Sequence, residues 1–203
     1  AYNTSLTRST PTALSVARYW LAAASVGNYA LFGGGYTGST SDVVDAYNTS
    51  LTRSTPTALS TACYQLAASS VGDYALFGGG HTGSVAKDTV YAYNTSLTRS
   101  TPTALSVARN NLTAASVGDY ALFGGGYATD YSKVVDAYNT SLTRSAPTAL
   151  SVARNSFAAA SVGDYALFGG GYTGSTSDVV DAYNTSLTRS TPTALSTKTN
   201  LLA

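Results

Sequence analysis

A repeat of about 45 residues is the feature of this sequence that most constrains its fold. The block Ala-Tyr-Asn-Thr-Ser-Leu-Thr-Arg-Ser begins at residues 1, 46, 92, 137 and 182, so successive copies start 45 or 46 residues apart. A second block, Tyr-Ala-Leu-Phe-Gly-Gly-Gly, alternates with it and occupies Tyr29–Gly35, Tyr74–Gly80, Tyr120–Gly126 and Tyr165–Gly171. Because a regular period makes the repeat the structural unit, we interpret residues 1–203 as one repeat domain.

The first half of each repeat predicts a β-hairpin. In the first copy, Leu21–Val26 leads through Gly27-Asn28 into Tyr29–Phe32, and the other copies use Gly-Asp at the turn. Two short apolar runs joined by Gly-Asn or Gly-Asp are typical of a hairpin, since glycine takes the positive φ that a tight turn demands. We name these two strands a and b.

The second half of each repeat predicts two more strands, c and d. Val43–Tyr47 has the β-branched and aromatic content of strand c, and the turn formers Asn48–Ser50 end it. Strand d is predicted to begin over Leu51–Ser54. Pro56, which follows, restricts this strand to an edge position because proline cannot donate to a ladder. No stretch keeps apolar residues at helical spacing over three turns, so the predicted fold class is all-β.

Four-stranded antiparallel sheets repeated every 45 residues or so predict the blades of a β-propeller. Strand a carries small residues, Ala22 to Ser25 in the first copy, and these suit the innermost position, where strands converge on the axis. Leu31 and Phe32, with Val43 and Val44, are then expected to supply much of the packing between blades.

These motifs resemble the kelch repeat over the whole chain. The resemblance rests on the glycines that end strand b, on Tyr47 in strand c and on an arginine that opens the next blade, at Arg18, Arg109 and Arg154. Two departures stand out: Ser54 occupies the place of the usual tryptophan, and the diglycine is a triglycine. The resemblance implies a kelch-like propeller of four complete repeats with a partial blade at the ends.

The ends of the chain do not make a whole blade. The chain opens with strands c and d, over residues 1 to about 17, and stops at Thr197–Ala203, where another strand a would begin. Three arrangements are compatible with this: a small closed propeller with overhanging ends, a ring completed by self-association with a second chain, and an excerpt of a larger propeller. An open solenoid is disfavoured because exposed strand edges invite aggregation.

The copies differ in two places, the opening of strand a and the loop from b to c. In an antiparallel sheet these segments meet at the same end, so all the differences are predicted to lie on one face of the disc. The candidate ligand-binding residues are Tyr19, Trp20, Tyr36, Tyr64, Gln65, His81, Asn110, Asn111, Tyr127, Asp130, Tyr131, Asn155 and Tyr172.

These residue types predict a non-catalytic binding module for a glycan or a protein. Tyrosine, tryptophan and amide side chains combine rigid contact area with adaptable hydrogen bonding, and binding residues usually lie on loops of a rigid scaffold. Two other interpretations stay open. Young tandem copies drift fastest where packing constrains them least, and near-identical units also suit a structural element of a surface or fibrous assembly.

Composition excludes several other roles. Charged residues are 10% of the chain and its net charge is +1, which argues against nucleic-acid binding. No apolar run reaches the roughly 18 residues that a membrane span requires. Cys63 and His81 are the single cysteine and histidine, too few for a metal site or a catalytic set, and no cofactor is expected. Low charge and abundant threonine, serine and tyrosine favour an extracellular or surface-associated location.

Each constant block contains the sequon Asn-Thr-Ser, which makes it a possible glycosylation site. The acceptor residues would be Asn3, Asn48, Asn94, Asn139 and Asn184. The competing interpretation is a turn in which asparagine caps its own backbone, because the sequon coincides with the predicted c-to-d turn.

Overall fold

The structure, a computed structural model, describes residues 1–200, and these form strands and turns without a helix. Within these residues, sixteen strands make four sheets. The first blade contains β1 (Ala22–Val26), β2 (Tyr29–Gly33), β3 (Val44–Asn48) and β4 (Arg53–Ser54), and the second contains β5 (Ala67–Val71), β6 (Tyr74–Gly78), β7 (Val90–Asn94) and β8 (Arg99–Ser100). The third contains β9 (Thr113–Val117), β10 (Tyr120–Gly124), β11 (Val135–Asn139) and β12 (Arg144–Ser145), and the fourth β13 (Ala158–Val162), β14 (Tyr165–Gly169), β15 (Val180–Asn184) and β16 (Arg189–Ser190).

Every blade is an antiparallel meander, so the predicted all-β fold of four-stranded units is confirmed. Strands pair in chain order, with Ala22 opposite Gly33 in the first hairpin and Gly33 opposite Val44 in the next pair. Gly27 has φ +49°, as the hairpin turn requires. The inner strands of successive blades contact one another, which places the small residues of strand a nearest the axis as predicted.

Strand d is shorter than the sequence predicted, beginning at Arg53 instead of Leu51. Leu51 has φ +60°, which is left-handed and cannot belong to a strand. The side-chain Oδ1 of Asn48 accepts hydrogen bonds from the backbone N–H groups of Ser50 (3.0 Å) and Thr52 (2.9 Å). This cap holds the chain in its turn for two residues more than the β-propensity of the segment indicates.

The hydrophobic core lies between blades and is repeated at three interfaces. In the first, Leu31 and Val44 of one blade pack with Phe77 and Tyr93 of the next, and all four side chains are almost fully buried. A Cβ atom at Gly33 would lie 2.9 Å from the Phe77 ring. The absence of a side chain at Gly33 is therefore what lets the phenylalanine approach the neighbouring sheet.

The four blades form an arc with an unpartnered face at each end. Val26, Val71 and Val117 are 3% exposed, whereas Val162 at the same place in the fourth blade is 60% exposed. Gly169 has no neighbouring phenylalanine within 4 Å of a Cβ position, unlike Gly33. A small ring closed by the first and fourth blades is therefore not formed. Of the predicted next strand a, residues 201–203 lie outside the described range.

Residues 1–9 and 196–200 belong to incomplete blades at the two ends. Tyr2 pairs with Arg8 as strands c and d do in the complete blades. Thr199 bonds to the blade before it, donating to the Ser177 carbonyl and accepting from the Gly171 N–H, as Arg154 does with Ser132 and Gly126 one repeat earlier. Within residues 1–200 no helix is long and apolar enough to cross a membrane.

Candidate functional site

The two variable segments of each repeat lie side by side at one end of the blades. The opening of strand a and the first residue of the b-to-c loop exchange backbone hydrogen bonds, such as Tyr19 N–H to Tyr36 C=O (3.1 Å) and the reverse (2.8 Å). Equivalent bridges join Tyr64 to His81, Asn110 to Tyr127 and Asn155 to Tyr172. We call the surface formed by these segments the variable face.

Four residues of the variable face have left-handed backbone conformations. They stand at the same position of successive blades, and they are Trp20 (φ +56°), Gln65 (+56°), Asn111 (+51°) and Ser156 (+52°). Residues other than glycine are uncommon in this region, and its cost of about 1 kcal/mol or more is found most often at functional sites. The strain is tied to contacts between blades, since the N–H groups of Gln65, Asn111 and Ser156 each donate to the carbonyl of the equivalent residue one blade earlier, at 2.9 to 3.1 Å.

Aromatic side chains cluster where the first and second blades meet. Trp20 stacks on Tyr64 with ring centroids 5.5 Å apart and an interplanar angle of 23°. Tyr36 meets the Tyr64 ring edge-on at 5.4 Å, and Tyr19 lies 4.7 Å from Trp20. Trp20 is 52% exposed, so the cluster presents apolar area to solvent.

A second, separate group of aromatic rings joins the third and fourth blades. Tyr131 bridges Tyr127 (5.7 Å) and Tyr172 (5.8 Å) in edge-on contacts. Asp130 lies next to this group, and its Oδ1 accepts the Tyr131 N–H at 2.7 Å. Asn155 contributes its backbone bridge to Tyr172, and its half-buried side chain has an Oδ1 without a hydrogen-bond partner.

Between these groups, the second and third blades leave an open cleft of about 540 Å³. Tyr64 and His81 form one wall, and Asn110 and Tyr127 form the other. The Asn110 Nδ2 donates to Gln65 Oε1 at 2.8 Å, which links the third blade to the second at the cleft. The structure thus brings the predicted residues together in three different ways, one at each junction between blades.

Buried ion pairs hold the variable face in place, and the sequence analysis did not predict them. Arg18 directly precedes Tyr19, and its Nη1 lies 2.8 Å from Asp45 Oδ2 with both side chains fully buried. The same guanidinium donates to the carbonyls of Gly34 (2.8 Å) and Phe32 (2.9 Å), which fixes the opening of strand a to the end of strand b. Burial would raise the pKa of Asp45, but the hydrogen bonds it accepts outweigh burial and lower that pKa.

Each aspartate of this kind also meets an arginine from strand d. The pairs are Arg18 and Arg53 on Asp45, Arg109 and Arg144 on Asp136, and Arg154 and Arg189 on Asp181. Such a triad is stable when every member is partnered, and it is strongly destabilised by loss of one partner. Its role is to position the segments of the variable face.

The second blade replaces both members of the buried pair. Cys63 stands in place of the arginine and Tyr91 in place of the aspartate, and both are buried. The strand-d residue Arg99 stays and lies over the Tyr91 ring at 5.7 Å, while Ser60 Oγ donates to the Tyr91 hydroxyl at 3.2 Å. Changing both residues leaves no unpaired buried charge. Burial raises the pKa of the Cys63 thiol to about 12, as is typical of a cysteine that packs in a core.

The sequence did contain a signal for the buried arginine–aspartate pairs. Cys63 and Tyr91 are exceptions to the repeat that occur in the same copy. Residues that change together are often in contact, so this joint exception points to the arginine–aspartate pair of the other copies.

The sequon asparagines act as turn caps. In every constant block the asparagine Oδ1 accepts backbone N–H bonds from the residues two and four positions later, at 2.8 to 3.0 Å. This geometry accounts for the asparagine without a glycan. Among residues 1–200, histidine, cysteine and acidic side chains form no group of three or more that could hold a metal ion.

Comparisons with known proteins define the class of fold. No family model and no curated protein matches the chain. Among solved structures it is similar to that of YjhT, a kelch-type β-propeller protein, with a TM-score of 0.76 and 12% sequence identity. The match covers 94% of this chain and 69% of that chain. At this identity the likeness shows the fold alone, and that fold is a β-propeller.

Proposed function

We propose that this chain is a non-catalytic binding module whose variable face captures a glycan or protein ligand. One observation carries the proposal: the positions at which the repeats differ are drawn together on one surface, while the opposite turns are nearly constant. Backbone hydrogen bonds between blades hold the left-handed residues of this surface, so different side chains are presented on one fixed backbone.

Further features favour binding over catalysis. The arginine and aspartate side chains beneath the face are committed to one another, and His81 is the single histidine. Acid–base chemistry would need titratable groups held in unlike environments, whereas these repeat in equivalent positions. We further propose that the repeats are of kelch type, because the arginine at the blade opening bonds to the glycine-rich end of strand b. A surface or extracellular location belongs to the same proposal.

A glycan array tests the glycan form of this proposal. The parent chain is compared with a variant in which Trp20, Tyr36, Tyr127 and Tyr172 are changed to alanine. A matched control changes the exposed hairpin residues Asn28, Asp73, Asp119 and Asp164 to serine on the opposite face. Circular dichroism checks that all three chains fold. We expect the parent and the control to bind and the variable-face variant not to bind. Binding that survives the variable-face substitutions would contradict the proposal.

The unpartnered end faces favour a second candidate, a structural unit that self-associates. On the first blade, Phe32 and Tyr47 border an apolar hollow of about 310 Å³, although Phe77 and Tyr93 at the same places are fully buried. On the fourth blade, Gly169 has the open space that Phe77 fills beside Gly33. The two faces are therefore complementary between copies, as in a head-to-tail interface.

Light scattering after size-exclusion chromatography tests this second candidate. We expect mass to rise with concentration, and Phe32→Ser to prevent the rise without unfolding the chain. Gly169→Ala tests the opposite face, because the added methyl group would occupy the space proposed to receive a phenylalanine of the next copy. Gly124→Ala makes the same change at an interface inside the chain. A Cβ at Gly124 meets the Phe168 ring at 3.1 Å, so this change should destabilise the fold instead. A chain that stays monomeric at all concentrations would exclude the structural role.

A further inference from the structure

We infer that the cleft between the second and third blades is a subsite for one neutral sugar ring. This inference rests on the proposed binding function and assigns a place and a ligand class to it. Of the three junctions on the variable face, the first is filled by Trp20 and the third is bridged by Tyr131. The middle junction is left open because Gln65 and Asn110 stand where larger aromatic side chains stand in other copies.

The walls of the cleft match the apolar side of a pyranose. Tyr64 and Tyr127 stand on opposite blades, with Val85 and neighbouring alanines completing the lining. Aromatic rings pack against the C–H groups of a sugar and leave its hydroxyl groups at the edge. A volume of about 540 Å³ falls within the range of about 300–1,000 Å³ that small-molecule sites occupy.

The polar groups of the cleft can pair with hydroxyl groups. His81 Nδ1 accepts the Gly83 N–H at 3.0 Å, which leaves the proton of the neutral ring on Nε2 as a donor. The Asn110 Nδ2 is used by Gln65, so its Oδ1 is available as an acceptor. A donor and an acceptor on facing walls suit the hydroxyl groups of a sugar, which both donate and accept.

The cleft carries no charge that would select another ligand class. The lining residues comprise tyrosine, histidine, asparagine, serine, threonine, valine and alanine, and none is an arginine, lysine or aspartate. A phosphate or a carboxylate would lose its hydration without gaining a charged partner. A neutral sugar pays no such penalty.

Two substitutions test the subsite with residues that the repeat itself tolerates. Asn110→Tyr places in the third blade the residue that Tyr19 and Tyr64 supply in the first two, and it should fill the cleft. His81→Tyr introduces the residue found at Tyr36, Tyr127 and Tyr172, and it removes the Nε2 donor. Both variants should therefore fold. Tyr165→Ala, at an exposed tyrosine on the opposite face, is the control.

The measurement is an NMR titration of the ¹⁵N-labelled chain with the methyl glycosides of glucose, galactose, mannose and N-acetylglucosamine. We expect at least one glycoside to give saturable shifts at the Gly83 and Asn110 amides, with a dissociation constant of about 1 mM. Asn110→Tyr should weaken binding at least about tenfold, the loss expected from one or two hydrogen bonds and a filled site. His81→Tyr should weaken it less, and Tyr165→Ala should leave it unchanged.

Two results would overturn the inference: no glycoside giving saturable shifts, or shifts that persist in Asn110→Tyr. Either result leaves the proposed function standing if the array ligand, or a protein ligand, is still lost on substitution of Trp20 and Tyr36. The proposed function fails separately, when binding survives all changes on the variable face.

Discussion

The buried arginine–aspartate pair of the third blade offers a sharp test of how these blades are stabilised. The second blade supplies the perturbation, because it folds with cysteine and tyrosine at the same two positions. We consider Arg109→Cys, Asp136→Tyr and the double variant. Arg109 Nη2 lies 2.8 Å from Asp136 Oδ2, and neither side chain is exposed.

The two single substitutions should both be costly, and unequally so. Asp136→Tyr leaves the Arg109 guanidinium buried with only the Phe123 and Val107 carbonyls as acceptors, so we expect a loss near the upper end of about 3–5 kcal/mol. Arg109→Cys leaves Asp136 with Arg144 at 2.8 Å, so its loss should fall near the lower end of about 3–5 kcal/mol.

The double variant should be more stable than either single variant. It reproduces the second blade, including Ser106 at the place of Ser60 and Arg144 at the place of Arg99. A well-accommodated exchange of buried residues costs less than about 1.5 kcal/mol, and no charge is left unpaired.

Urea unfolding at neutral pH, followed by far-ultraviolet circular dichroism, gives the four free energies of the double-mutant cycle. The reciprocal exchange in the second blade, Cys63→Arg with Tyr91→Asp, serves as the control. Its single substitutions should also cost more than the pair. Losses that simply add in the double variant would refute the reasoning, because they would show that the buried charges do not depend on one another.

Three further predictions concern the interior of the blades. The hydrogen bonds that Asp45 accepts, that of Arg18 above all, outweigh burial and lower its pKa, so its contribution to stability is complete above an unfolded pKa of about 3.9 and is lost as pH falls through the lower folded value. Acid titration of the melting temperature should show this loss, and Asp45→Asn should flatten it; an unchanged profile would contradict the assignment. Burial raises the pKa of Cys63 to about 12, so its reaction with a disulfide reagent at pH near 8 should be slow in the folded chain and fast in urea, and rapid native labelling would count against its burial. Tyr138 donates its hydroxyl to the Thr103 carbonyl at 2.8 Å, and Tyr138→Phe should lower the free energy of unfolding by about 1 kcal/mol. A loss below the error of the urea titration would show that this bond contributes nothing.

The architecture could be predicted from the sequence because its signals are local. Gly27-Asn28 fixes one hairpin, Val44 and Tyr47 mark strand c, and the period repeats each signal. The start of strand d was predicted two residues too early, at Leu51 instead of Arg53, because the capping side chain of Asn48 overrides strand propensity.

The candidate site could be predicted only in part. Antiparallel pairing alone puts Tyr19 beside Tyr36, so the shared face followed from topology. The difference between the three junctions did not follow, since it depends on where the side chains of left-handed residues such as Trp20 point. The Arg18–Asp45 pair joins residues 27 positions apart and has no local signature.

The charged triads have a consequence for how such a chain can change over time. Arg18, Asp45 and Arg53 all belong to one blade, and so do Cys63, Tyr91 and Arg99 in the next. A recombination crossover within the constant Ala-Tyr-Asn-Thr-Ser block replaces strand d with the strand d of another copy. The arginine that opens the blade and its aspartate both lie before the crossover, so they stay together. Because strand d carries an arginine in every copy, blades can be duplicated, deleted or reordered without leaving a buried charge unpaired. New combinations of variable segments are then accessible through gene rearrangement, at no cost to the electrostatic balance of the interior.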